Sequence, residues 1–318
     1  MLFAYRSSEG RLVSTDPASA LWLDLCKPAA DEIRAALAFV PEIPSPEDMA
    51  EIEISARLYR EGDTDVMTVM VPGIDRSDGV TPILGPAAFL LSPDHLVTVR
   101  CHTPRPFETY PGHAQQMTLG CGTAERIFLG LIEEIIGRIA DLLEAAGRDL
   151  DRITRHVFSG SPAGPEAAVL QQALEGAGRQ SEMVGNCRLS LLTLERALSF
   201  FEVARSERGT ASGLHSGVHG LTRDIQSLEV HVDYLSSRIS QTIDATLGMI
   251  NLAQNTTVRI VSVVAVLFLP PTLIASVYGM NFRTMPELDW HLGYPLALAL
   301  MVASALISWG IFKWKKWL

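Results

Sequence analysis

The sequence has 318 residues, enough for an ordinary soluble domain and a small membrane part, with 26 basic and 36 acidic side chains and a formal net charge of −10. A hydrophobic fraction of 47% and a mean hydropathy of +0.20 sit high for a globular chain, and the excess lies near the C-terminus. Five basic and two acidic residues fall from residue 259 onward, leaving 21 against 34 before it; that acidic balance argues against nucleic acid or anionic lipid as partners of the N-terminal part and favours cations.

The opening MLFAYRSSEG lacks a basic segment followed by an apolar stretch, so no cleavable signal is expected. Residues 1–118 mix short β-rich runs with helical ones. LFAYR, ALWLDL, ARLYRE and VMTVMVP read as strands, KPAADEIRAALAFV has helical spacing, and AAFLLS with HLVTVR forms a hairpin about Pro93-Asp94. The expectation is a small cytoplasmic α/β domain with a mixed sheet. Cys26, Cys101, Cys121 and Cys187 are scattered, without a Cys-x-x-Cys pair, and read as reduced structural residues.

From residue 119 to about 256 the pattern is that of long helices. RIFLGLIEEIIGRIADLLEAAGRDLDRITRHVF repeats apolar residues every three or four, SGSPAGP breaks it, and a second stretch follows to about residue 206. After SERGTASGLHSG, the stretch from Gly220 to Tyr278 meets no strong stop except Pro270-Pro271, which predicts a stalk running into the membrane. Those prolines fall inside a span, where neighbours or cavity water can satisfy the freed carbonyls.

Residues 260–278 and 294–312 are each free of charged side chains. At about 1.5 Å per residue, either run nearly crosses a core of roughly 30 Å. Together, in 257–318, they predict a transmembrane hairpin with an outer loop at 279–293. Arg259, Lys313, Lys315 and Lys316 flank the spans, while the loop sets Arg283 against Glu287 and Asp289. The positive flanks place both termini in the cytoplasm of a bacterial-type inner membrane.

Stepping by three and four from Asp244 gives Gly248, Asn251, Asn255, Val258, Ser262, Ala265, Leu269, Thr272 and Ser276, one helical face that passes into the membrane. Ile260, Val264 and Phe268 lie elsewhere. Small and polar residues on one line fit either a helix-packing seam or a water-filled pathway. Asn251 and Asn255 favour water, because each amide needs several hydrogen-bonding partners. One hairpin has too few walls to enclose a pathway, so this reading requires a homo-oligomer. Val258 and Leu269 would then form apolar constrictions, and Asn255 and Thr272 polar rings.

The first span ends in Tyr278-Gly279-Met280-Asn281-Phe282, followed by Met285-Pro286-Glu287-Leu288, Trp290 and Gly293-Tyr294-Pro295. With Leu269-Pro270-Pro271-Thr272 and the closing Lys315-Lys316-Trp317-Leu318, this set resembles the CorA family of divalent-cation channels, whose hallmark is Gly-Met-Asn after the first span. The resemblance implies a funnel-shaped homopentamer that carries Mg²⁺, with Co²⁺ or Ni²⁺ as further ions and membrane lipid around the spans. It implies a filter of Gly279, Met280 and Asn281, with Gly279 allowing a tight turn and Tyr278 lining the pore. An amide ring suits Mg²⁺, which gives up its waters reluctantly and can be recognised through them. Arg283 stands where magnesium-carrying members often have an acid, and a ring of guanidinium groups there would repel cations unless Glu287 or Asp289 pairs with it. Closure by cytoplasmic Mg²⁺ is also implied, with Asp224, Glu229, Asp233 and Asp244 as candidate ligands.

His215 and His219 stand four apart, but the chain offers no third ligand nearby and the segment is rich in Gly and Ser, so the pair is set aside as a metal site. No nucleophile elbow, phosphate loop or dinucleotide fingerprint is present, which points away from an enzyme and from an organic cofactor. Two rival readings remain: a proton-coupled zinc carrier of the related ZntB type, and a non-conducting membrane receptor for Mg²⁺.

Overall fold

The computed structural model describes residues 1–75, 81–158, 167–208, 213–280 and 290–315. The chain divides into two compact units, Met1–His156 with Ala173–Ile243, and Val157–Gln172 with Asp244–Leu318.

The first unit opens with strands β1 (Leu2–Ser8), β2 (Arg11–Ser14) and β3 (Trp22–Cys26), then short helices α1 (Ala30–Ala36), α2 (Pro46–Ala50) and α3 (Ile54–Arg57). Strands β4 (Leu58–Glu61), β5 (Thr64–Asp75), β6 (Thr81–Leu91) and β7 (Leu96–Arg100) follow, and helix α4 (Arg105–His113) ends the run. The sheet order is β2-β1-β3-β7-β6-β5-β4, with β3 and β7 parallel and the other pairs antiparallel, a mixed sheet as expected. The β6–β7 hairpin turns where Pro93-Asp94 placed it, closed by Ser92 and His95.

Both faces of the sheet are covered, so its central strands are buried throughout. Trp22, Met67, Val69, Phe89 and Leu96 face the long helices, while Leu23, Leu25, Leu90, Val97 and Val99 face Ala36, Val40 and Met49. That alternation follows the two-residue period of a strand.

Two regions depart from expectation. Ala56 and Arg57 belong to α3 rather than to a strand, and β6 begins at Thr81 rather than near Ala87. The added part of β6, with Pro82, Gly85 and Pro86, pairs only with β5, so these prolines leave no ladder bond unmade in the sheet interior. Beyond the end of β4, the free edge of β5 is met by α6: the Thr193 hydroxyl accepts from Met70 N–H at 3.0 Å, and the Ser190 hydroxyl donates to Met70 O at 2.6 Å.

Helices α5 (Ala124–Phe158), α6 (Ala167–Glu207) and α7 (His215–Tyr278) are as long as their periodicity promised. In this unit α6 buries Ala173, Ala177, Gln180, Val184, Cys187, Leu191, Leu194, Leu198 and Phe201, and α7 buries Val218, Leu221, Ile225, Val232, Leu235, Ile239 and Thr242. Steps of three and four mark coiled-coil packing, and these rows join the sheet's inner face in a single core.

The second unit holds the remainder of α7 and helix α8 (Gly293–Trp314), each long and apolar enough to cross a membrane. Along α8 the covered residues are Gly293, Ala297, Met301, Ser304, Ala305, Ser308 and Phe312, a seam made mostly of small side chains. Trp290 and Tyr294 stand exposed at one end of this helix and Trp309 and Trp314 at the other, with Lys313 Nζ 4.8 Å from the Trp309 ring. Aromatic rings at both ends of a span fit the two membrane–water interfaces.

Candidate functional site

Within its membrane segment, α7 is covered along one stripe only: Val263, Leu267, Pro270, Pro271, Ile274 and Tyr278 are partly buried and the rest is exposed. Asp244, Gly248, Asn251, Asn255, Val258, Ser262, Ala265, Leu269, Thr272 and Ser276 are all on the exposed side. At about 100° per residue, their mean direction lies roughly 150° from the covered stripe. The small, polar face is therefore not the seam covered within the chain's own compact unit. Tyr278, which the resemblance set at the pore, is partly buried on the covered stripe instead.

Two hydroxyls on this face, those of Ser262 and Thr272, are committed as donors. Ser262 Oγ donates to Val258 O and Thr272 Oγ1 to Phe268 O, both at 2.8 Å. With its proton spent, a hydroxyl offers outward only its lone pairs. The waters around a cation turn their hydrogens outward, toward acceptors of this kind.

Gly279 continues the last turn of α7, its N–H donating to Ala275 O at 2.9 Å. Its φ is not positive, unlike Gly10, Gly62 and Gly120, so the expected tight turn does not explain the glycine. A side chain at 279 would instead press within 3.1 Å of Ala275 O. Met280 is exposed and its N–H reaches Val277 O at 3.3 Å. Asn281, Arg283, Glu287 and Asp289 lie outside the described residues.

The four carboxylates expected to hold regulatory metal are not gathered into one cluster within the chain. Asp224 faces Glu133 of α5; burial, then Asp224 and Glu134, hold the Glu133 carboxyl above the usual carboxylate range. Glu229 is raised as well, by burial first and by Glu195, while Arg188 opposes the shift and Asp233 adds to it. Asp233 itself forms an ion pair with Arg188. Asp244 belongs to the second compact unit and is exposed.

The structure also brings together a group that sequence spacing passed over. His215 and His219, one turn apart on α7, meet Glu202 of α6, and their ligand atoms all lie within 4.8 Å of one another. The missing third ligand comes from the preceding helix, thirteen residues upstream.

Residues 17–314 match the family model described as CorA-like Mg²⁺ transporter protein. The chain is 33% identical over 331 aligned positions to the magnesium transport protein CorA of Pasteurella multocida (strain Pm70), with 100% of each covered. It is 35% identical over 331 positions to that of Yersinia pestis, again with 100% of both covered. Its fold is similar to the complete structure of the CorA magnesium transporter from Methanocaldococcus jannaschii, with a TM-score of 0.72 at 17% identity over 100% of this chain and 99% of that one.

Proposed function

The chain belongs to the CorA-like Mg²⁺ transporter family, and from that premise we propose that it admits Mg²⁺ passively, down its gradient, through a pore lined by the exposed face of α7. The observation that carries this reading is the position of that face, opposite the covered stripe and free for other copies of the chain. Five copies, the number implied by the family resemblance, would turn Asn251, Asn255, Ser262 and Thr272 into rings around an axis. Val258 and Leu269, exposed at 64% and 69% in the single chain, would become apolar constrictions that close by dewetting.

Asn281 of the Gly279-Met280-Asn281 filter accepts hydrogen bonds from the first-shell waters of the incoming ion, sparing it full dehydration. Co²⁺ and Ni²⁺, of similar charge and hydration, follow the same path less readily. Both termini face the cytoplasm of a bacterial-type inner membrane, in line with Arg259 and Lys313, Lys315 and Lys316 at the span ends. Cytoplasmic Mg²⁺ closes the channel by bridging acidic groups of the first unit. The Glu133–Asp224 and Glu229–Glu195 neighbours support this, since like charges held together gain from a cation between them. The chain uses no organic cofactor and no enzymatic step in this reading.

The test is accessibility in proteoliposomes. Ser262→Cys, on the proposed pore face, is expected to lose most Mg²⁺ flux on treatment with a cationic thiol reagent, whereas Val264→Cys, exposed on another side, is expected to keep it. Cys26, Cys121 and Cys187 are buried and Cys101 half-buried, so background reaction is small. Equal block at both positions would remove this face as the pore lining.

A further inference from the structure

We infer that Glu202, His215 and His219 form a binding site for a transition-metal dication of the zinc or nickel type, joining the end of α6 to the start of α7. The site is separate from the pore face and does not rest on the conduction reading.

Geometry carries the assignment. Nε2 of His215 and Nε2 of His219 are 3.1 Å apart, and Oε1 of Glu202 is 3.9 Å from Nε2 of His219. Ligands of a tetrahedral zinc at its usual bond lengths of about 2.0–2.1 Å are separated by roughly 3.3 Å; these two of the three edges lie on either side of that value, and all three ligand atoms lie within 4.8 Å of one another. Glu202 Oε1 also lies 2.6 Å from Nδ1 of His215. Despite that contact the oxygen is sealed from solvent and makes no well-directed hydrogen bond among the described residues. A buried carboxylate oxygen between two imidazoles is suited to a cation.

Access and charge agree with this. Glu202 and His215 open into a cavity of about 220 Å³ lined also by Phe201, Arg205, Ser206 and Val218, which leaves room for a water as further ligand. Arg205, the cation in that lining, lies 3.3 Å from Glu125, which offsets its charge.

The donor set selects the ion. Imidazole nitrogens suit zinc, nickel, cobalt and copper, whereas Mg²⁺ prefers an octahedron of oxygens and retained waters. Millimolar Mg²⁺ therefore leaves the site open to a transition metal. Because the ligands come from two helices, the bound ion holds the last turns of α6 against the first turns of α7 and stabilises the folded chain.

The experiment is zinc binding by the full-length protein in detergent, measured by equilibrium dialysis with Mg²⁺ in large excess. The parent is expected to hold one more Zn²⁺ per chain than His215→Ala/His219→Ala, with zinc raising the melting temperature of the parent alone. Glu202→Gln is expected to weaken binding at least tenfold, and His219→Cys, which restores a soft donor, to retain it. Helical content and assembly size, compared across the variants, identify any loss caused by misfolding. An equal zinc count in parent and double variant of matching fold, or displacement of the zinc by an equal concentration of Mg²⁺, would overturn the assignment.

Discussion

Asp24 and Arg100 face each other across the parallel pair at the centre of the sheet. Arg100 Nη2 lies 2.7 Å from Asp24 Oδ2, both side chains are almost fully buried, and Asp24 also accepts from Thr98, which in turn accepts from Trp22 Nε1. Removing one partner leaves the other charge uncompensated, so Asp24→Ala is expected to cost about 3–5 kcal/mol in unfolding experiments. An unchanged melting temperature would contradict that. Glu133 makes the opposite case. Its folded pKa is raised above the unfolded value, so the penalty of its charge is absent below the unfolded pKa, grows as pH rises through the folded one, and is full above it. Glu133→Gln is therefore expected to raise the melting temperature at pH 7 and to reduce the further rise produced by millimolar Mg²⁺; calorimetry at pH 7 and pH 4 checks both signs.

At the scale of the element, α4 crosses α5 where Gly130 lies beneath the buried Tyr110. A methyl at 130 would overlap the Tyr110 hydroxyl, and both residues are buried. Gly130→Ala is expected to destabilise by about 1–3 kcal/mol through overpacking, even though alanine is the better helix former; a higher melting temperature would mean that α4 yields. The long helices were legible in the sequence because apolar steps of three and four persist over α5, α6 and α7, and the hairpin about Pro93-Asp94 because strand period and turn residues agreed. The first half of β6 was not legible: Pro82 and Pro86 look like strand breakers unless the one-sided pairing of that ribbon is known. The exposed face of α7 could be listed from spacing alone, but its position opposite the covered stripe, and the place of Tyr278 on that stripe, needed the folded chain. The histidine pair escaped because Glu202 belongs to another helix, so no local pattern joins the three.

At the scale of the whole molecule, an acidic N-terminal part precedes two apolar spans, and the two are joined through one continuous helix of 64 residues. In the proposed closure, cation occupancy among the acids of α5, α6 and α7 would act on the same helix that supplies the proposed pore face. The central claim is passive Mg²⁺ conduction with Asn281 at the filter, and Mg²⁺ flux into proteoliposomes tests it most directly, comparing the parent with Asn281→Ala and repeating the assay under a proton gradient and with Zn²⁺. The account predicts Mg²⁺ entry that follows its own gradient, is indifferent to the proton gradient and falls at least tenfold in Asn281→Ala. Zinc entry tied to protons, or Mg²⁺ binding without any flux, would contradict it.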